Sequence, residues 1–198
     1  MKDTIVLSCF PLVGKSYLYD HQKELGLTIL DSDSSSFSWT KRRRTEEELD
    51  ELKKEWDNQG HALSGEKYLE LIKNRLINVR NPEFPNNYIA HIKENIGKVD
   101  IILVSSHENV RKALQEGGIK YRLVYPSHLM KFEWIGRSWV RENTDKQGFT
   151  TKLLYAKWDE WIESCKNDQS KAFMIDSNNC YLMDILYDVI IDTECKLT

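Results

Sequence analysis

Two rhythms of apolar residues run along this chain. Mostly apolar runs at 4–7, 27–30, 99–104, 121–125 and 172–175 lack a helical period and end in turn residues, which predicts buried strands. The stretches between them repeat apolar residues three and four apart. A first helix is expected over 14–25, stopped near Gly26. Ile89, Ile92 and Ile96 give one face of a helix after the turn-rich segment 81–86, and 108–115 form another that ends at Gly117 and Gly118. Leu154, Trp158, Trp161, Ile162 and Cys165 share one face of a long helix, where the spacing marks the tryptophans as core. Leu182, Ile185, Leu186, Val189 and Ile190 suggest a closing helix. Strands alternating with helices predict an α/β fold with a parallel sheet.

Residues 40–81 interrupt this alternation. Lys41-Arg42-Arg43-Arg44 is a basic cluster. Thr45 then stands three residues before Glu48, the spacing of a capping box, and Leu49, Leu52 and Trp56 follow at helical spacing up to Gly60. Ser64 can cap a second helix carrying Tyr68, Leu71, Ile72, Leu76 and Val79. The segment is expected to be a helical insertion, a hairpin placed after the second strand, on the substrate side or as a partner-binding element.

Composition narrows the picture. The 198 residues suit a single domain, 1–198, with a sizeable core. A net charge of −3 with both signs mixed throughout does not indicate a broad basic surface for duplex nucleic acid. Cys9, Cys165, Cys180 and Cys195 lack metal-ligand spacing and read as reduced thiols of a cytoplasmic protein. No apolar run approaches membrane-spanning length, so no membrane partner is expected. Oligomeric state is left open.

Candidate chemistry gathers where predicted strands end. After the first, Pro11-Leu12-Val13 turns into Gly14-Lys15-Ser16-Tyr17, the layout of a loop whose N–H groups wrap a phosphate. Gly14 permits close approach, Lys15 can reach phosphate oxygens and Ser16 can offer a hydroxyl to Mg²⁺. Cys9 replaces the first glycine of the usual pattern, and Leu12 stands where many such loops carry a small residue. After the second strand, Asp31 and Asp33 can divide metal binding from orientation or deprotonation of an attacking oxygen, or form an ordinary polar turn. The third ends in Ser105-Ser106-His107 rather than an acid, leaving metal binding to Ser16 and the earlier acids. His107 can cap the next helix or touch substrate. Arg137 and Arg141, four apart, share a helix face and can receive phosphate oxygens, or simply face solvent. Gly136 and Gly148 can be hinges of a moving segment, 127–165, a lid with the helix that follows. Asn178 and Asn179 can meet a purine ring or simply turn the chain.

Residues 4–16, 31–33, Arg137 and Arg141 together resemble the P-loop small-molecule kinases of the adenylate kinase-like superfamily, which includes nucleoside and nucleotide kinases. The stretches 31–39, 81–95 and 99–110 are similar to small phage and bacterial proteins of that type. The resemblance implies a three-layer P-loop NTPase fold with a central parallel sheet of about five strands, a helical insertion and an arginine-bearing lid. It implies ATP and Mg²⁺ as cofactors and a nucleoside or nucleoside monophosphate as acceptor. By resemblance, the segment from Pro11 to Tyr17 binds nucleotide and Ser16 and Asp31 hold the metal. Lys15, Asp33, Arg137 and Arg141 would be catalytic, and Asp33, Phe37, Arg80 and His107 would face the acceptor. Two alternatives stand beside it. One is a nucleotide-binding protein without turnover that engages a protein partner through the insertion. The other is a polynucleotide 5′-kinase, suggested by the basic cluster from Lys41 to Arg44.

Overall fold

The apolar runs pair into one parallel sheet in the computed structural model, which describes residues 3–58, 76–142 and 148–191. In chain order the strands are β1 (Ile5–Cys9), β2 (Ile29–Asp31), β3 (Trp39–Arg43), β4 (Leu76–Arg80), β5 (Ile101–Ser105), β6 (Arg122–Pro126) and β7 (Lys171–Ile175). The described helices are α1 (Lys15–Asp20), α2 (Ser35–Ser38), α3 (Glu46–Asn58), α4 (Asn86–Asn95), α5 (Glu108–Glu116), α6 (Lys131–Glu142), α7 (Phe149–Lys166) and α8 (Leu186–Ile191).

The sheet order is β2-β5-β1-β6-β7, with every neighbour parallel. Parallel neighbours need crossover connections over a sheet face. The connection from β1 to β2 runs one way along the sheet, and the later ones run the other way. Right-handed crossovers then put α1 on one face and α4, α5 and α7 on the other. Accordingly α4 packs on α5, and α5 on α7. With both faces covered, β1 and β5 become the continuous apolar strands read from the sequence: Leu7, Ile102, Leu103 and Val104 are fully buried. The tryptophans of α7 are core. Trp158 and Trp161 pack on Phe10 with ring centroids 5.7 and 4.5 Å away.

The first helix is shorter than its period suggested. α1 ends at Asp20 and turns carry the chain to Gly26, which sits at φ 66°. Gln22 explains the early stop. Its side chain donates to the Tyr19 carbonyl at 2.9 Å and accepts the Ile29 N–H at 2.9 Å, tying the turn to β2.

Residues Ser35–Phe84 form a compact unit of their own. The described residues contain the first helix of the predicted hairpin and correct the end assigned to the second. The capping box forms, with the Thr45 N–H donating to Glu48 at 2.9 Å and the Glu48 N–H to Thr45 Oγ1 at 3.3 Å, and α3 follows. Leu76 and Val79, expected on a second helix, lie instead on β4, which pairs antiparallel with β3. Leu76-Ile77-Asn78-Val79-Arg80 alternates, with Ile77 and Val79 on the more covered face, and β-branched side chains suit that pleat. Gly60, Ser64, Tyr68, Leu71 and Ile72 lie outside the described residues. Arg42 of the basic cluster is paired with Glu48.

Among the described residues no helix is long and apolar enough to cross a membrane.

Candidate functional site

The turn after β1 is shaped by two left-handed residues, Leu12 at φ 67° and Gly14 at φ 103°. Three consecutive carbonyls are held by groups around the turn. Pro11 O accepts from Trp134 Nε1 at 2.8 Å, Leu12 O from Arg137 Nη1 at 3.5 Å, and Val13 O from the Leu182 N–H at 2.8 Å. The N–H groups from Leu12 to Ser16 find no acceptor among the described residues. Successive free N–H groups beside left-handed residues form a nest that can receive an anion. Lys15 follows directly and makes no ion pair among the described residues. Beneath the turn the Cys9 thiol is buried; burial pushes it up to about 12, so it stays protonated and inert.

The two acids flank a pinned residue. The Ser32 N–H donates to the Leu103 carbonyl at 2.9 Å, and the Tyr88 hydroxyl donates to the Ser32 carbonyl at 2.6 Å. Their environments then diverge. Asp31 is half-buried, and its Oδ1 has no hydrogen-bond partner among the described residues. Burial raises its carboxyl above the ordinary value, Lys15 opposes that rise, and the neighbouring charge of Asp33 adds to it. Asp33 is exposed.

These pieces surround one cavity of about 430 Å³ at the carboxyl ends of β2, β5 and β1. Pro11, Leu12, Gly14, Lys15, Ser16, Tyr17, Asp31, Asp33, His107, Arg137 and Arg141 all reach its wall, while Val13 is fully buried behind it. Ligands of open parallel sheets bind at this edge. A larger cavity of about 840 Å³ opens near the amino ends of β1, β6 and β7, where Asp3 is the one acid among the described lining residues.

The two arginines have different surroundings. Arg141 is exposed at the cavity. Arg137 is 7 % exposed, donates to the Cys180 carbonyl at 2.9 Å and to Glu133 at 3.2 Å, and lies between the Trp134 and Tyr181 rings. It braces the turn. His107 is the N-cap residue of α5, yet its side chain makes no capping bond; the ring stacks on Trp161 at 5.0 Å. Phe37 and Arg80 belong to the other unit. There the Phe37 carbonyl accepts from the Asn81 side chain at 2.9 Å, and the Arg80 guanidinium lies over the Trp39 and Phe84 rings. Gly136 sits inside the unbroken helix α6. A side chain at Gly148 would collide with the Glu142 carboxylate, which accepts the Thr150 N–H at 2.8 Å. Residues 143–147 of the expected lid lie outside the described residues.

Sequence reading missed the groups that brace the site. Trp134, Tyr181 and the Leu182 N–H hold the turn, and Tyr88 holds the acids. The Asn-rich turn was the nearest signal, because the chain reaches Cys180 and Tyr181 directly after it. Asn179 itself sits at φ 57° and donates its N–H to Glu133 at 3.4 Å.

Among the described residues, no three His, Cys, Asp or Glu side chains gather so as to hold a metal ion. The unpartnered Asp31 oxygen beside Ser16 does fit Mg²⁺ in the form that needs only one or two carboxylates and completes its shell with water and substrate oxygens. No protein-family model and no curated protein matches this chain.

Proposed function

We propose that this protein is a kinase, transferring the γ-phosphoryl group of ATP to a nucleoside or nucleoside monophosphate with the help of Mg²⁺. One observation carries the reading: a turn with its carbonyls tied back and its N–H groups free, ending in Lys15, stands across a cavity from Asp31 and Asp33. Phosphoryl transfer requires mainly positioning and charge neutralisation, and those parts supply both. In this reading the Leu12–Ser16 amides and Lys15 hold the polyphosphate. Ser16 and Asp31 hold Mg²⁺, which when bound neutralises charge on the phosphate oxygens. Arg141 meets the transferring group, Asp33 and His107 face the acceptor, and Arg137 keeps the turn in shape. The order β2-β5-β1-β6-β7 supports the reading by bringing the ends of β2, β5 and β1 side by side.

The commitment of Arg137 favours a second reading, a nucleotide-binding protein without turnover, because it takes one arginine away from the transferring group. Titration of ATP with Mg²⁺ followed by ADP release across nucleosides and monophosphates distinguishes the two. Acceptor-dependent ADP release that falls at least about 100-fold in Lys15→Ala supports the kinase. Tight ATP binding with no acceptor effect selects the second reading, and unchanged binding and turnover in Lys15→Ala overturns both.

A further inference from the structure

The paired arginines suggested a phosphate-bearing acceptor and the paired acids suggested a hydroxyl. The surroundings of Arg137 separate these choices. Its guanidinium is 4.1 and 4.0 Å from the Trp134 and Tyr181 ring centroids and is bonded to two backbone carbonyls and Glu133. Moving it onto a substrate phosphate would strip the Leu12 and Cys180 carbonyls of their donor and leave Glu133 unpaired. Within this unit's cavity wall, Lys15 and Arg141 are the cations without a described ion-pair partner. In the kinase reading the triphosphate takes both, Lys15 on the polyphosphate and Arg141 on the transferring group. The wall left for an acceptor contains Asp33, Ser34, Ser105 and His107: a carboxylate, two hydroxyls and a ring. A phosphate placed against Asp33 would set like charges together at close range. An alcohol would instead donate its proton to that carboxylate.

We infer that the acceptor presents a hydroxyl group and bears no phosphate of its own, so that the product is a phosphomonoester. This rests on the kinase reading. The acceptor oxygen attacks the γ-phosphorus of ATP, forming a new P–O bond. The bond from that phosphorus to the β,γ-bridging oxygen breaks, its electron pair leaves with ADP, and the hydroxyl proton passes to Asp33 and on to water.

Four measurements test it on the full chain. Calorimetry first establishes ADP binding with Mg²⁺; wild-type protein that fails to bind ADP overturns the kinase reading itself. Protein saturated with Mg²⁺ and a non-hydrolysable ATP analogue, whose γ-phosphate fills the place a product's phosphate would take, is then titrated with AMP, CMP, GMP, UMP and TMP. Dissociation constants above about 1 mM are expected for all, and one below about 100 μM overturns the hydroxyl assignment while leaving the kinase reading standing. Phosphorus NMR of turnover mixtures containing nucleosides and their monophosphates reads the product: a phosphomonoester supports the inference and a new phosphoanhydride overturns it. Asp33→Asn should lower kcat about 100-fold with ADP affinity unchanged, and an unchanged kcat removes Asp33 from the acceptor side.

Discussion

Leu12 is the residue whose backbone conflicts most openly with its side chain. At φ 67° it occupies the left-handed region, where a bulky L-residue is strained by roughly 1–2 kcal/mol. The strain is held in place by the bonds on the carbonyls of Pro11, Leu12 and Val13. Leu12→Gly should relieve it, offset by about 0.5–1 kcal/mol of extra chain entropy in the unfolded state, for a net stabilisation of about 0.5–1 kcal/mol. Gly14 tests the same idea with the opposite sign. A Cβ there would meet Tyr181 at an ordinary 3.5 Å, so space is not the obstacle; φ 103° is. Gly14→Ala should therefore destabilise by about 1 kcal/mol or more. Urea midpoints at unchanged m-value measure both, and equal shifts of one sign would show that packing rather than backbone governs the turn.

Between elements, a buried charge pair joins α5 to the turn that follows α7. Arg111 and Asp168 are 3 % and 4 % exposed and directly bonded, and Arg111 also donates to the carbonyls of Ser106 and Ser164 at 3.0 Å. Ser106 follows β5, so this pair also fixes the edge that carries Ser105 and His107. Burial alone would raise the Asp168 carboxyl. Hydrogen bonding from Ser170 and Tyr121, with the charge of Arg111, outweighs that and holds it below the ordinary value. The associated stability is present above the unfolded carboxylate pKa and is lost as pH falls through the lowered one. Arg111→Met leaves a buried carboxylate unpaired and should cost about 3–5 kcal/mol at neutral pH, with a smaller loss in acid, where Asp168 is protonated. Denaturation at both pH values checks it; a loss independent of pH would assign the effect to packing. The sequence announced some elements and hid others for physical reasons. β1 and β5 are buried on both faces, so their apolar runs were unmistakable. β3 exposes every residue of Trp39-Thr40-Lys41-Arg42-Arg43, so its composition carries no strand period, and its partner's Leu76 and Val79 also fit helical spacing.

Across the whole molecule, the cavity-lining residues of the candidate site were legible and their support was not. Gly14 and Lys15 lie on the turn after β1, Asp31 ends β2 and Asp33 follows it, where parallel-sheet topology alone brings them to one edge. Trp134 and Arg137 reach the turn across 123 and 125 residues through backbone carbonyls, which leave no pattern in composition or period. That support leaves Asp31 partly buried, with an oxygen that has no hydrogen-bond partner among the described residues. Its carboxyl is raised, so the folded chain holds the proton more tightly than the unfolded chain does. Stability should then decline as pH rises from the ordinary carboxylate range through the raised value, and level off above it. Asp31→Asn removes the charge and with it that slope, so without added ligand the variant should melt higher than wild type once the pH has passed the raised value. Ligand should reverse the comparison. A complex that binds only the folded state adds about 2.7 kcal/mol at a hundredfold excess over its dissociation constant, and ADP with Mg²⁺ should give wild type such a gain. Asparagine cannot supply the charge that fits the metal, so Asp31→Asn should gain far less from the same mixture. Thermal scans with and without ADP and Mg²⁺ read both effects together. A variant that melts lower without ligand, or gains as much with it, would make Asp31 a structural carboxylate and take the metal away from this edge of the sheet.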